Sequence, residues 1–129
     1  MIFPTIPDEQ RLARLEPPKG KVRIVIDTDT FNEVDDQFAI VHALLSPEKL
    51  QLEALYAAPF FNHLSTSPED GMEKSYQEIL TLFERMNASA EGLVYKGSRH
   101  YFNAEKLERS DAVDDLIKRT LASKDEPLY

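Results

Sequence analysis

The stretch from Val22 to Ala43 most constrains how this chain can fold. It opens with a short, β-branched apolar run that predicts a buried strand. From Val34 onward, apolar residues recur at helical spacing and predict a helix. Four carboxylates lie between the strand and the end of the first helical turn: Asp27, Asp29, Asp35 and Asp36. Because ligands bind beyond the carboxyl ends of parallel strands in open α/β sheets, we expect a polar site at this edge.

Four like charges this close together repel one another unless a positive group lies between them. Helix capping accounts for Asp35 and Asp36, because acids in a first turn interact favourably with the helix dipole. Asn32 or Asp35 is then the expected N-cap. Capping leaves Asp27 and Asp29 unexplained, whereas a hard cation with oxygen ligands, Ca²⁺ or Mg²⁺, accounts for all four. We therefore favour a metal or substrate site over capping alone.

The composition excludes several classes of function. The 129 residues correspond to one domain by length, and the net charge of -8 argues against nucleic acid or an anionic membrane as a partner. The absence of cysteine excludes disulfides, thiolate nucleophiles and zinc–cysteine sites. No stretch of the sequence has the pattern of a signal peptide or a membrane span, so we expect a cytoplasmic protein.

The remaining chain alternates strand and helix patterns. Residues 1–21 are predicted to form an N-terminal arm with a short helix capped by Asp8, and residues 22–129 an α/β domain. Further elements are predicted as strands at Leu50–Ala58 and Leu93–Tyr95 and helices at Met72–Met86 and Ala112–Leu121, the last capped by Ser110 or Asp111. Pro127 to Tyr129 have the pattern of another strand's start. Strand–helix–strand order predicts parallel βαβ units, so the expected fold is a Rossmann-like, mainly parallel sheet flanked by helices.

The helical periodicity also predicts which side chains form the core. In the helix after the first strand, the expected apolar face is Val34, Phe38, Val41 and Leu45. In the third helix it is Met72, Tyr76, Ile79, Leu80, Phe83 and Met86, and in the last it is Val113, Leu116, Ile117 and Leu121. Alternation in the second strand places Leu50, Leu52, Ala54 and Tyr56 on one face. The acids of the last helix, Asp111, Asp114 and Asp115, are expected to be solvated charges near its N-terminus.

The residue types at the acidic edge indicate what chemistry it permits. Asp29, beside a cation, could deprotonate a water whose pKa the metal lowers. Asp36, one helical turn away, is placed to share the same ion. Asp35 lies about 100° further round the helix and could accept hydrogen bonds from substrate hydroxyls. Asn62 follows the second strand and offers a donor and an acceptor that suit a sugar.

The run IVIDTDTFNEVDDQFAI, followed by EALYAAPFFN, resembles the N-terminal part of the inosine–uridine-preferring nucleoside hydrolase family. That family has a D-x-D…D-D-x-x-A signature after its first strand. The resemblance implies calcium-dependent hydrolysis of the N-glycosidic bond of ribonucleosides, with a ribonucleoside as substrate. It implies these roles: Asp29 as calcium ligand and general base, Asp36 as second ligand, Asp27 as support for the metal cluster, Asp35 and Asn62 as ribose-binding residues. The longer loop from Thr30 to Val34 brings Asn32 or Glu33 within reach of the same site.

The resemblance extends over about Val22 to Tyr129 but corresponds only to the first part of the family's domain. The family's remaining calcium carboxylate, its carbonyl ligand and its leaving-group histidine have no counterpart here. We therefore expect a truncated nucleoside hydrolase fold, completed by a homo-oligomer or by a missing C-terminal portion. One alternative is a non-catalytic fragment or subunit that binds calcium or ribose. Another is a haloacid-dehalogenase-like phosphatase, in which Phe31 would replace the expected threonine or valine.

Overall fold

The computed structural model describes residues 5–123 and 126–129. Its elements alternate strand and helix: α1 (Asp8–Leu15), β1 (Val22–Thr28), α2 (Val34–Leu44), β2 (Leu50–Ala57), α3 (Pro68–Arg85), β3 (Val94–Lys96) and α4 (Asp111–Ala122). This order confirms the predicted α/β class. The first residues of the predicted arm lie outside the described part. Asp8 is the first residue of α1 and pairs with Arg11, so the prediction that Asp8 caps this helix is wrong.

The sheet is parallel throughout, in the order β1-β2-β3. On the other side of β1, Leu128 forms a parallel bridge with Arg23, and the Val25 N–H donates to the Tyr129 carbonyl at 2.8 Å. The predicted start of a further strand at Pro127–Tyr129 is therefore confirmed. The chain leads from β1 outward to β3 and then returns to the opposite side of β1. Such a reversal around one strand, with helices flanking the sheet, is compatible with a Rossmann-like fold.

Two apolar clusters cover the two faces of the sheet. In the larger cluster, Ile40 of α2 and Met72, Ile79 and Phe83 of α3 pack on Leu55 and Ala57. In the smaller one, Ala112 of α4 packs on Ala54 and Tyr56. The predicted alternation along β2 is wrong, because a register shift pairs Ile24 with Leu52 but Val25 with Ala54, leaving Glu53 as an extra residue. This bulge places Leu52 and Ala54 on opposite faces.

Helix α2 buries a different face from the predicted one. Val34, Phe38 and Leu45 are 63%, 71% and 64% exposed, and Val41 is half-buried. The buried side chains are instead Ile40 and Ala43. The sequence of α2 is apolar on nearly every side, so helical spacing alone could not distinguish the stripe that faces α3 and β2 from the one that faces solvent.

Helix α4 also differs from its prediction, although Ser110 caps it as expected. Its apolar residues Val113, Leu116, Ile117 and Leu121 are between 38% and 79% exposed. Ala112 and Asp115 are buried instead. Asp115 accepts hydrogen bonds from the Tyr56 hydroxyl at 2.9 Å and from Arg119 Nε at 2.5 Å, so its assignment as a solvated charge is wrong. A small residue and a paired carboxylate let α4 approach the sheet closely at this point.

Helix α3 begins four residues before its predicted start at Met72. Ser67 is its N-cap and accepts from the Asp70 N–H at 3.1 Å, while Pro68 occupies the first turn, where its missing N–H costs nothing. Gly71 allows this turn to approach the loop after β2, because a Cβ there would lie 2.0 Å from the Phe60 carbonyl oxygen. No helix in the described part of the chain has the length and apolar character needed to cross a membrane.

Candidate functional site

The acidic residues lie where β1 ends and α2 begins. Thr28 is the last residue of β1, and Val34 is the first of α2, with Glu33 at the N-cap position and no side-chain cap. The expectation that Asn32 or Asp35 is the N-cap is therefore wrong. The physical reason is that the amide of Asn32 points back to Asp29 instead, and donates from Nδ2 to Asp29 Oδ2 at 3.0 Å.

Asp29 and Asp36 form a close pair of carboxyl groups. Loss of hydration raises the pKa of Asp36, and its contact with the Asp29 carboxyl raises that pKa further. The Thr28 hydroxyl acts in the opposite direction, because it stabilises the ionised Asp36. Two carboxyl groups held together in this way make a negatively charged position at the carboxyl end of β1.

Asn62, from the loop after β2, reaches the same place. The Leu64 N–H donates to Asn62 Oδ1 at 2.8 Å, and Asn62 Nδ2 donates to Asn32 Oδ1 at 2.5 Å. Asn32 then donates to Asp29. The structure thus brings together Asp29, Asp36, Asn32 and Asn62 from two neighbouring strand ends, as expected for parallel strands whose carboxyl ends share an edge.

Asp27 and Asp35 stand apart from that group. Asp27 lies beside Tyr56 in the strand register and lines a cavity of about 130 Å³ together with residues of α4. Its pKa is raised by loss of hydration and by the charge of Asp29. Asp35 is exposed in the first turn of α2, and its charge contributes to the raised pKa of Asp36. The metal-supporting role of Asp27 and the ribose-binding role of Asp35 stay predictions.

The donor chemistry of the pair suits a hard cation. Carboxylate oxygens are the ligands that Ca²⁺ and Mg²⁺ prefer, and calcium takes six to eight oxygens. Within residues 5–123 and 126–129, no three or more Asp, Glu or His side chains are grouped closely enough to hold a metal ion. In the same part of the chain, neither Asp29 nor Asp36 forms an ion pair with a lysine, arginine or histidine. The carboxyl oxygens of Asp29 and Asp36 are therefore of the kind that calcium binds, but two carboxyl groups fall short of its coordination number.

Two contributors to the site escaped the sequence argument. Thr28 is buried, acts to lower the pKa of Asp36 and shares a hydrogen bond of 2.9 Å with the hydroxyl of Thr30. In the sequence, Thr28 and Thr30 lie on either side of Asp29. This pattern is the signal that could have indicated the two threonines. The other contributor is the backbone N–H of Leu64, which no side-chain pattern identifies.

Comparison with protein-family models, with curated proteins and with solved structures gave no match. The family resemblance therefore stays a prediction from the residues that carry it. What the site does has to be argued from its position, its charge and its hydrogen bonds.

Proposed function

We propose that this chain hydrolyses the N-glycosidic bond of ribonucleosides with the help of Ca²⁺, releasing ribose and the free base. The supporting observation is the Asp29–Asp36 pair, joined through Asn32 to Asn62 at the carboxyl end of β1. This strand lies between β2 and the bridge at Leu128, where the chain reverses direction across the sheet. In open α/β sheets a ligand crevice forms at such a reversal.

Each acidic residue has a role that suits this reaction. Glycosidic cleavage of a nucleoside develops positive charge on the ribosyl ring, which carboxylates stabilise. Asp29 is the base that removes a proton from the attacking water. Calcium, when held by Asp29 and Asp36, supplies positive charge that lowers the pKa of water at the site. Asp35, exposed beside the pair, accepts hydrogen bonds from ribose hydroxyls.

The remaining ligands and the proton donor for the leaving base lie outside this group of residues. We propose that a second chain in a homo-oligomer, or a further C-terminal portion, supplies them. The reaction would serve purine and pyrimidine salvage in the cytoplasm. Binding of calcium or ribose without turnover is the competing function, and the experiment below separates the two.

The experiment measures calcium binding by calorimetric titration, and ribose release from inosine, uridine and a nitrophenyl riboside, first with Ca²⁺ and then with a chelator. We expect chelator-sensitive release that falls by about 10²- to 10⁴-fold in Asp29→Asn, because a general base contributes a factor of that size. Asp111→Asn is the matched control, since Asp111 is an exposed acid in the first turn of another helix. Its release should equal that of the wild type.

Three outcomes contradict the proposal, in whole or in part. Calcium binding without ribose release from any of the three substrates would contradict catalysis and support the binding function. Neither binding nor release would contradict both. Release that persists in Asp29→Asn would contradict the role assigned to Asp29 while leaving the reaction itself in place.

A further inference from the structure

A line of hydrogen bonds leads from a backbone amide to the Asp29 carboxylate. It starts at the Leu64 N–H, passes through the side chains of Asn62 and Asn32, and ends at Asp29 Oδ2, with donor–acceptor distances of 2.8, 2.5 and 3.0 Å. The Asn32 N–H also donates to the Asp29 carbonyl at 2.7 Å. Asn32 is therefore tied to Asp29 through both its backbone and its side chain.

The direction of this line follows from its first member. A backbone N–H can only donate, so the oxygen of the Asn62 amide must face Leu64 and its NH₂ group must face Asn32. The Asn32 oxygen then accepts, which leaves the Asn32 NH₂ group to face Asp29. Rotating either amide by half a turn would place two donors or two acceptors against each other. One backbone amide thus sets the orientation of two side chains and of the carboxylate beyond them.

We propose that Asn32 and Asn62 are positioning residues that act through Asp29. The Asn32 amide, which is itself held by Asn62, occupies Asp29 Oδ2 and holds the carboxylate in one rotamer, so that Oδ1 is the oxygen presented to the cation. This inference rests on the proposed calcium-dependent function. It also assigns the facing amide groups of Asn32 and Asn62 to Asp29 rather than to ribose.

The expected size of the effect comes from the behaviour of groups that orient metal ligands. Losing such a partner commonly weakens metal binding by about 10- to 100-fold, because the ligand must then be ordered when the metal binds. Asn62 touches Asp29 only by way of Asn32 in this line. Once Asn32 is removed, removing Asn62 should therefore have little additional effect on calcium affinity.

Calorimetric titration with Ca²⁺ tests this on four proteins: the wild type, Asn32→Ala, Asn62→Ala and the double variant. Each single variant should bind calcium about 10- to 100-fold more weakly, and the double variant about as weakly as Asn32→Ala. Asn103→Ala is the matched control. Asn103 also accepts a backbone N–H from two residues further on, at 2.9 Å, but belongs to the loop after β3. Its calcium affinity should match the wild type's.

Wild-type affinity in both single variants, or losses that simply multiply in the double variant, would overturn the inference. If the wild type binds no calcium, the proposal of a calcium cofactor is wrong. The coupling between Asn32 and Asn62 is then tested by measuring unfolding of the same four proteins in a chelator. The unfolding constants of the single and double variants should then depart from multiplicativity by about threefold or more. Independent effects there would refute the positioning role, whereas coupled effects would retain it without the metal.

Discussion

Replacing Asp36 by asparagine should stabilise the calcium-free protein. The substitution keeps the shape of the side chain and removes one of two carboxylates that lie in contact. In the wild type the protein bears the repulsion between Asp29 and Asp36 as well as the lost hydration of Asp36. In Asp36→Asn the repulsion disappears, and an amide replaces one acceptor with a group that can donate to Asp29.

The magnitude follows from Coulomb's law. Two unit charges about 4 Å apart interact by about 1 kcal/mol in bulk water and about 4 kcal/mol at an effective dielectric constant of 20. Asp29 and Asp36 are both partly exposed, so solvent screening holds the value near the lower end. Asn32 already compensates part of the charge on Asp29. We therefore expect a gain of about 1–2 kcal/mol in the free energy of unfolding at neutral pH and low salt.

Urea denaturation in a chelator measures this gain, with Asp35→Asn as the control. Asp35 precedes Asp36 in the same helical turn but is exposed, so its variant should change stability by less. The gain from Asp36→Asn should shrink in 1 M salt, because screening weakens interactions between partly exposed charges. Equal or lower stability of Asp36→Asn at low salt would refute the reasoning.

Calcium should reverse the order of stability. A ligand present at 100 times its dissociation constant stabilises a protein by about 2.7 kcal/mol. The wild type should gain this stability on addition of Ca²⁺, whereas Asp36→Asn should gain little. The same two proteins therefore measure the repulsion in the chelator and test the proposed calcium site when Ca²⁺ is added.

Three further predictions concern the scaffold of the site, each measured by chemical or acid denaturation. Tyr56→Phe should lower the free energy of unfolding by about 1.5 kcal/mol, because buried Asp115 loses a charge-assisted hydrogen bond; no loss would contradict this. Gly71→Ala, which in an ordinary helix would gain about 1 kcal/mol, should instead cost about 2 kcal/mol because its Cβ meets the Phe60 carbonyl. A hydrogen bond from Arg23 lowers the pKa of Glu53 below its ordinary value of 4.5. The stability that ionised Glu53 contributes should therefore be present above pH 4.5 and be lost as the pH falls through the lower, folded-state pKa. Glu53→Gln should flatten the acid dependence in that range, and an unchanged profile would refute the assignment.

The sequence allowed the strand–helix order and the location of the acidic edge to be predicted. A β-branched run that ends in Asp27 and Asp29 has few alternatives to a parallel strand with a polar end. Asn62 follows the second predicted strand, so it was expected at the same edge of the sheet as Asp29. What was predictable here came from periodicity and from the geometry that all parallel sheets share.

The errors arose where several faces of a helix were chemically similar. Helix α2 has apolar residues on most sides, so only its packing on α3 and β2 identifies Ile40 and Ala43 as the buried pair. Asp115 of α4 resembled a first-turn charge, and nothing in its neighbourhood along the chain indicates Tyr56, which is 59 residues away. The direction of the amides at the site also depends on a tertiary contact that side-chain patterns do not carry.

The hydrogen bond from the Leu64 backbone has a consequence for how the site can vary. Every amino acid except proline supplies the same N–H, so position 64 can change its side chain without losing the group that orients Asn62. The Leu64 side chain is half-buried, so packing within its loop is what restricts the choice of residue at this position. If Asn32 and Asn62 have the proposed positioning role, position 64 should tolerate, as far as this hydrogen bond is concerned, every substitution except proline, whereas positions 62 and 32 should not tolerate loss of the amide.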